Sequence, residues 1–286
     1  MQALVLGTAQ WGDPYGVTNA LGRLNDEQIQ GIARMALHRG ITEIDTAAGY
    51  GDAESRIAPW AANFGITTKV KGQDELSVVD QVSRSLESLG LEAVRTCLIH
   101  DWSTLNEDAA RIAVRGLTDL KARGIVEKIG ISGYDTADLA RAIAIFNQVD
   151  CVQVPVNLLD RRLAGTTEVA HLHEVGCEVQ ARSVFLQGVL AAASTTQIGQ
   201  HPDVVRFHTW CAQEQVSPLQ VALQFVRGLT WVDKVVVGAT SADELNEVCG
   251  AWAVEEQCDL GRIEQSADMN LIDPRNWTAI SQSDAK

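Results

Sequence analysis

Short apolar runs alternate with longer amphipathic segments along most of the chain. The short runs are ALVLG (3–7), TEIDTA (42–47), ITTKV (66–70), VRTCLIH (94–100), EKIGIS (127–132), CVQVPVN (151–157), CEVQARS (177–183) and KVVVGA (234–239). Runs of this kind suit strands of a parallel sheet covered on both faces. The segments between them carry apolar residues at helical spacing. Residues 26–39 place Ile29, Ile32, Ala33 and Ala36 on one face, and Gly40 follows as a stop. Residues 75–89 do the same with Leu76, Val79, Val82, Leu86 and Leu89. Residues 107–123, 135–146, 161–175, 218–228 and 241–253 continue the pattern, with Asp135 and Ser241 as candidate N-caps. Eight strands alternating with about eight helices predict an α/β fold, a (β/α)8 TIM barrel. The barrel is expected to be a single domain over 1–255, followed by a C-terminal extension over 256–286 that covers part of the mouth. The last residues, SQSDAK, are expected to be disordered. An open doubly wound sheet is the competing topology; the lack of a GxGxxG after the first strand counts against it.

Composition narrows the function. Acidic residues number 37 against 23 basic ones in 286, a net charge of −14. That balance disfavours nucleic acid and anionic membrane as partners. No apolar run approaches the roughly 18 residues of a membrane span. The N-terminal MQALVLGTAQWGD lacks the basic and long apolar regions of a signal peptide. The six cysteines (97, 151, 177, 211, 249, 258) form no CxxC pair and no metal-like spacing with histidine, so no metal site is expected. They read as reduced thiols of a cytoplasmic protein.

Barrels of this type place their chemistry at the C-terminal ends of the strands. Here those ends carry Gln10 and Trp11, Asp45, Lys69, His100, Ser132, Gln153 with Asn157, Arg182 with Ser183, and Thr240. The stretch DTAAGYGDAES (45–55) adds Tyr50 and Glu54. A carboxylate, an ammonium, an imidazole and a phenol make a proton-transfer set. A phenol is a weak acid at neutral pH, and a neighbouring ammonium favours its ionised form. The ammonium needs a counter-charge, which Asp45 supplies. A neutral imidazole can orient a carbonyl oxygen. Together these groups can protonate an oxygen while a hydride reaches the attached carbon.

The same residues carry a family resemblance over roughly residues 3–255. DTAAGYGDAES resembles the Asp-Thr-Ala-x-x-Tyr-Gly-x-x-Glu signature of aldo-keto reductases. TTKV resembles that family's lysine strand, and CLIH its histidine strand. The resemblance implies a catalytic tetrad of Asp45, Tyr50, Lys69 and His100, with Tyr50 as general acid and Glu54 as a structural residue bonding backbone near the cofactor. It also implies a nicotinamide cofactor bound without a Rossmann motif. By position, Ser132 and Gln153 hold the carboxamide. The segment 183–190, with Ser183, Phe185, Gln187 and Gly188, lines the pyrophosphate. The segment 238–248, with Gly238, Thr240, Glu244 and Glu247, holds the adenosine end. Three departures stand out. Arg182 replaces the aromatic residue that stacks on the nicotinamide in many members. Gly133 stands where an Asn is common. No Lys or Arg lies in 238–248, so Asp243, Glu244 and Glu247 face the position of a 2′-phosphate. The family favours NADPH; the local acidity leans to NADH. No N-terminal hairpin precedes the first strand, so the barrel bottom is plugged differently or left open.

Trp11, Asp13, Tyr15, Asp101 and Trp102 are candidate substrate residues. Aromatics beside carboxylates suit a sugar-like ligand, or an amine through cation–π contact; the alternative for Trp11 is simple packing at the rim. GTAQWGDPYGVTN (7–19), RSVFLQG (182–188) and LIDPRNW (271–277) resemble a branch associated with nucleotide-sugar and secondary-metabolite pathways. Two other functions compete with reduction: a cofactor-binding regulatory barrel with little turnover, and a lyase in which Lys69 forms a Schiff base. The resemblance implies a monomer or weak homo-oligomer acting on a small-molecule carbonyl or alcohol.

Overall fold

The computed structural model describes residues 2–255 and 258–277. Eight parallel strands close into a barrel, each paired with the next in sequence. They are β1 (Ala3–Gly7), β2 (Glu43–Asp45), β3 (Gly65–Val70), β4 (Val94–Ile99), β5 (Val126–Ser132), β6 (Cys151–Pro155), β7 (Glu178–Arg182) and β8 (Lys234–Gly238). The seam between β8 and β1 runs from Ala3↔Lys234 to Gly7↔Gly238. The predicted strands are all present. The open-sheet alternative is excluded by that seam.

The helices begin where a side chain can satisfy their first backbone N–H groups. Asn25 and Gln28 form a reciprocal capping box on the helix Asp26–His38, which buries Ile29, Ile32, Ala33 and Ala36. Asp135 and Ser241 cap Thr136–Ile145 and Ala242–Ala253 as expected. Two starts lie later than the periodicity suggests. Ser77 accepts from the Asp80 N–H, so that helix is Val78–Leu89 rather than 75–89. Thr166 caps Thr167–Glu174, leaving 161–166 as a turn. Besides the short helices Ala9–Gly12, Ala53–Ile57 and Met269–Ile272, one long helix, Pro202–Glu214, was not predicted. Its signal is present: His201 accepts from Asp203 N, Pro202 opens the first turn, and Val204, Phe207 and Cys211 are buried at helical spacing.

The barrel bottom is plugged by charge. Lys234, Glu43 and Glu178 open β8, β2 and β7. Lys234 Nζ donates to both carboxylate oxygens of Glu43 at 2.6 Å and lies 2.9 Å from Glu178 Oε2. Lys128 Nζ on β5 donates to Glu178 Oε2 at 2.7 Å. Burying charges is costly unless they are paired and hydrogen-bonded, which this cluster achieves.

Within the extension, residues 258–277 pack against the helix Pro218–Arg227 and the loop after β6, with Gln224 Nε2 donating to Cys258 O and Arg161 Nη2 to Ile263 O. Leu271, Ile272 and Trp277 are buried, and Ser266 N donates to Leu159 O at 2.9 Å. Arg275 reaches the rim, where its guanidinium lies 4.0 Å from the Tyr134 ring centroid. The SQSDAK segment lies outside the described residues. Among the described residues, no helix is long and apolar enough to cross a membrane. Cys97, Cys151, Cys177 and Cys211 are buried, and no metal-binding cluster of His, Cys, Asp or Glu is present among the described residues.

The plug makes a stability prediction. Burial alone raises the Glu178 carboxyl, but hydrogen bonds from Lys128, Gln180 and Lys234 outweigh it and bring it from 4.5 down to about 2. A carboxylate with a depressed folded pKa adds stability above its unfolded pKa. That stability is lost as pH falls from about 4.5 through about 2. Glu178→Gln is expected to lower stability at pH 7 by about 3 kcal/mol and to flatten the acid side of the curve in that window. Urea unfolding from pH 7 downward checks both; an unchanged acid slope contradicts the assignment.

Candidate active site

The loop after β2 folds back over the barrel mouth. Thr46 N donates to Thr67 O at 2.8 Å and Ala48 N to Lys69 O at 3.0 Å, so the chain continues beside β3 before turning. Tyr50 N then donates to Ala47 O at 3.0 Å, closing the turn that presents the phenol. Gly12 packs against this turn so closely that an added Cβ would lie 1.7 Å from Tyr50 O. The turn is therefore built on two backbones in contact, and only glycine fits at position 12.

Four side chains converge there. Lys69, at 1 % exposure, donates from Nζ to Asp45 Oδ2 at 2.7 Å, to Thr46 O at 2.9 Å and to Tyr50 Oη at 3.3 Å. Its three N–H groups are thus all engaged. Burial opposes the ammonium, but Asp45 and then Tyr50 outweigh it and raise its pKa. The other Asp45 oxygen, Oδ1, accepts from Gln153 Nε2 at 2.6 Å. His100 meets Tyr50 edge-to-face at 5.7 Å between centroids. Burial, then the positive charges of Lys69, Arg182 and Lys71, bring the imidazole down to about 3. It is neutral at physiological pH and can share a carbonyl oxygen with the phenol.

A cavity of about 440 Å³ opens from Tyr50 and Asp45 and runs across the mouth to the N-terminal end of the helix Ala242–Ala253. Ten predicted cofactor residues line it: Gln153, Arg182, Ser183, Phe185, Gln187, Gly188, Gly238, Thr240, Glu244 and Glu247. Ser132 does not; it is buried at the end of β5. The loop after β7 is held in an unusual backbone conformation, with positive φ at Ser183, Leu186 and Gln187. Such conformations cluster at ligand sites. Sequence reasoning named Asp13 and Tyr15 but missed the residues that follow: Gly16 and Thr18 to Leu21 also line the cavity, and this segment clasps the β7 loop, with Thr18 Oγ1 donating to Gln187 O at 3.1 Å. Gly188 accommodates the clasp: an added Cβ would lie 1.9 Å from Thr18 Oγ1. At the far end, Glu244 Oε2 accepts from Thr240 N at 2.6 Å and Thr240 Oγ1 at 2.7 Å.

The substrate residues fare differently. Tyr15 lines the cavity, where enclosure and then Tyr50 raise its phenol pKa, although the residue as a whole is 43 % exposed. Trp11 and Trp102 are fully buried at 0 % and do not line the cavity. Trp102 Nε1 donates to Asp138 O at 3.0 Å and its ring lies 4.4 Å from the Arg141 guanidinium. Both indoles serve the core, which corrects the expectation that they face a ligand. Asp101 Oδ1 accepts from Gly72 N at 2.6 Å, tying the β3 and β4 loops together. Asp13 is exposed beside Gly51, outside the lining. Glu54 is structural, but its partner is the Thr68 hydroxyl at 2.6 Å on β3 rather than backbone near the cavity.

The chain resembles known proteins in sequence and in fold. A sequence model of the Aldo/keto reductase family matches residues 3–267. The chain belongs to that family. An aldo-keto reductase of Mycolicibacterium paratuberculosis (strain ATCC BAA-968 / K-10) is 28% identical over 238 residues, covering 78% of this chain and 75% of its own. A D-threo-aldose 1-dehydrogenase of Pseudomonas sp is 25% identical over 289 residues, covering 84% and 87%. The structure of an aldo-keto reductase from Bacillus halodurans in its holo form superposes with a TM-score of 0.75 at 18% identity, over 89% of this chain and 88% of the other. This aldo-keto reductase is therefore an oxidoreductase that uses NAD(P)H and interconverts carbonyl and alcohol groups.

A neutral His100 has a direct signature. Its imidazole resonances are expected not to titrate between pH 5 and 8 when followed by NMR, with the assignment made by loss of the signal in His100→Gln. A midpoint near the ordinary 6.5 contradicts the site as described.

Proposed function

We propose that this aldo-keto reductase reduces the carbonyl of a small polar molecule, with Tyr50 as proton donor and NADH as preferred cofactor. The observation that carries the reading is the Lys69 ammonium bonded at once to Asp45 and Tyr50. As the phenol gives up its proton, negative charge grows on Oη, and Lys69 stands there to stabilise it. Neutral His100 holds the carbonyl oxygen against Tyr50 and cannot compete as an acid. Asp45 and Gln153 fix the ammonium. The bound nicotinamide supplies the hydride.

The residues present fit such a cofactor. The cavity joins the tetrad to a strained loop and then to a helix start, the sequence of features a dinucleotide needs along its length. Gln153, Arg182 and Ser183 stand at its tetrad end, and Glu244 and Glu247 at the other. Ser132 is proposed to buttress Gln153, its partner in strand register, rather than to touch the carboxamide. The Glu244 carboxylate, fixed on Thr240, repels a 2′-phosphate while tolerating a ribose hydroxyl. Lys69 offers no neutral amine: its pKa is raised and its N–H groups are spent, which supports reduction over Schiff-base chemistry. The assembled tetrad likewise favours turnover over a purely regulatory barrel. With Trp11 and Trp102 withdrawn into the core, the stacking platform for a sugar falls away, and Tyr15 alone of that set remains beside the substrate.

Two measurements test this reading. Tyr50→Phe is expected to lower carbonyl reduction at least about 100-fold while cofactor binding, followed by tryptophan quenching, persists. Wild-type rates in the variant sink the role of Tyr50. In the same assay NADH is expected to bind more tightly than NADPH, and Glu244→Ala to narrow the gap. Tighter NADPH binding by the wild type overturns the cofactor preference.

A further inference from the structure

The charges around the cavity are unevenly matched. Asp45 is neutralised by Lys69. Glu244 is hydrogen-bonded by Thr240. Arg182 is the one Lys, Arg or His among the lining residues, and no carboxylate pairs with it among the described residues. Its hydrogen bonds go to neutral acceptors, Gly133 O at 3.1 Å and Ser183 Oγ at 3.3 Å. The neighbouring arginine at the rim differs. Arg275 pairs with Asp273 through Nη2 at 2.5 Å and Nε at 2.9 Å, and lies 3.9 Å from Asp135. The two guanidiniums flank one ring: Arg182 lies 4.3 Å and Arg275 4.0 Å from the Tyr134 centroid. This stack fixes Arg182 without satisfying its charge.

The position of Arg182 says what the charge faces. It stands at the tetrad end of the cavity, closing β7. Its field reaches both His100 and Tyr15. A guanidinium presents a fork of donors that matches the two oxygens of a carboxylate. Half-buried, it is screened less than a surface arginine, so an anion in the cavity is held more strongly than one in water. The oxidised form of a nicotinamide is itself cationic, so a nicotinamide held at this end of the cavity would be disfavoured in that form by a bare guanidinium. An anionic group on the substrate offsets that repulsion.

We propose that Arg182 is a substrate-anion site, and that this aldo-keto reductase acts on carbonyl compounds bearing a carboxylate or similar anion within reach of the reacting carbon. The proposal rests on the reductase reading given above. An anion on the cofactor is the other source of the same chemistry. The tetrad-end position favours the substrate, because the adenosine end, with Glu244 and Glu247, lies at the far end of the cavity.

The test pairs two aldehydes with the same reacting group, 4-carboxybenzaldehyde and its neutral methyl ester, methyl 4-formylbenzoate. The wild type is expected to reduce the aldehyde of 4-carboxybenzaldehyde with a kcat/KM at least about 10-fold above that of the ester. Arg182→Gln is expected to bring that ratio to about one. A wild-type ratio at or below one overturns the proposal, as does a ratio that survives Arg182→Gln. A proportional loss on both aldehydes with weakened cofactor binding also overturns it, and assigns Arg182 to the cofactor. If the wild type reduces neither aldehyde, nor neutral 4-nitrobenzaldehyde, the reductase reading is what has failed for these probes. The anion site is then read by calorimetry on the cofactor-loaded protein. Benzoate binding that exceeds benzamide binding and vanishes in Arg182→Gln upholds it; equal binding, or none, overturns it.

Discussion

The structure turns on one ion pair. Asp45 and Lys69 are almost wholly buried in the top of the barrel, 2.7 Å apart. Removing two such charges from water costs several kcal/mol each. The pair survives there because its remaining hydrogen-bonding groups are filled. Thr46 O and Tyr50 Oη take the other protons of the ammonium, and Gln153 takes the other oxygen of the carboxylate. Gln153 Nε2 also donates to Gln180 Oε1 at 3.0 Å, and Gln180 Nε2 donates to Glu178 Oε1 at 2.8 Å. Glu178 belongs to the charged plug at the bottom. A polar chain thus runs through the barrel from the tetrad to the plug. Each member satisfies the next, and loss of any one strands a buried polar group. The chemistry at the mouth and the stability at the base share this chain.

Much of the fold could be read from period and punctuation. Apolar runs such as CVQVPV and KVVVGA become β6 and β8, and the caps Asp135 and Ser241 open their helices. The convergence of Asp45, Tyr50, Lys69 and His100 was legible because they sit at strand ends or in the loop that follows one, where topology brings scattered residues together. The plug was not. Glu43, Lys128, Glu178 and Lys234 stand in separate strands, and nothing local marks an inward-pointing charge whose partner is more than 40 residues away. The clasp between Thr18 and Gln187 was hidden for the same reason. Trp11 and Trp102 misled in the opposite way. Each neighbours polar residues in sequence, yet burying an indole gains more than displaying it at a rim, and both turned into the core.

The cavity is electrically polarised along its length. Its far end carries Glu244 and Glu247, and its reacting end carries Arg182, whose charge reaches His100. On the proposed reading, the two ends discriminate by different means: the carboxylates repel an extra phosphate on the cofactor, and the guanidinium attracts an anion on the substrate. Between them the strained β7 loop and the segment 13–22 enclose the path. The half-buried cation at the mouth stands against the −14 charge of the whole chain.

On the proposed mechanism the buried pair stabilises charge on Tyr50. The most direct measurement is carbonyl reduction by the double variant Asp45→Asn, Lys69→Met. It removes both charges together, and so leaves no unpaired ion to unfold the protein. The double variant is expected to fold and still bind cofactor, with kcat lower by about 100-fold or more. A folded double variant that turns over at the wild-type rate contradicts that mechanism.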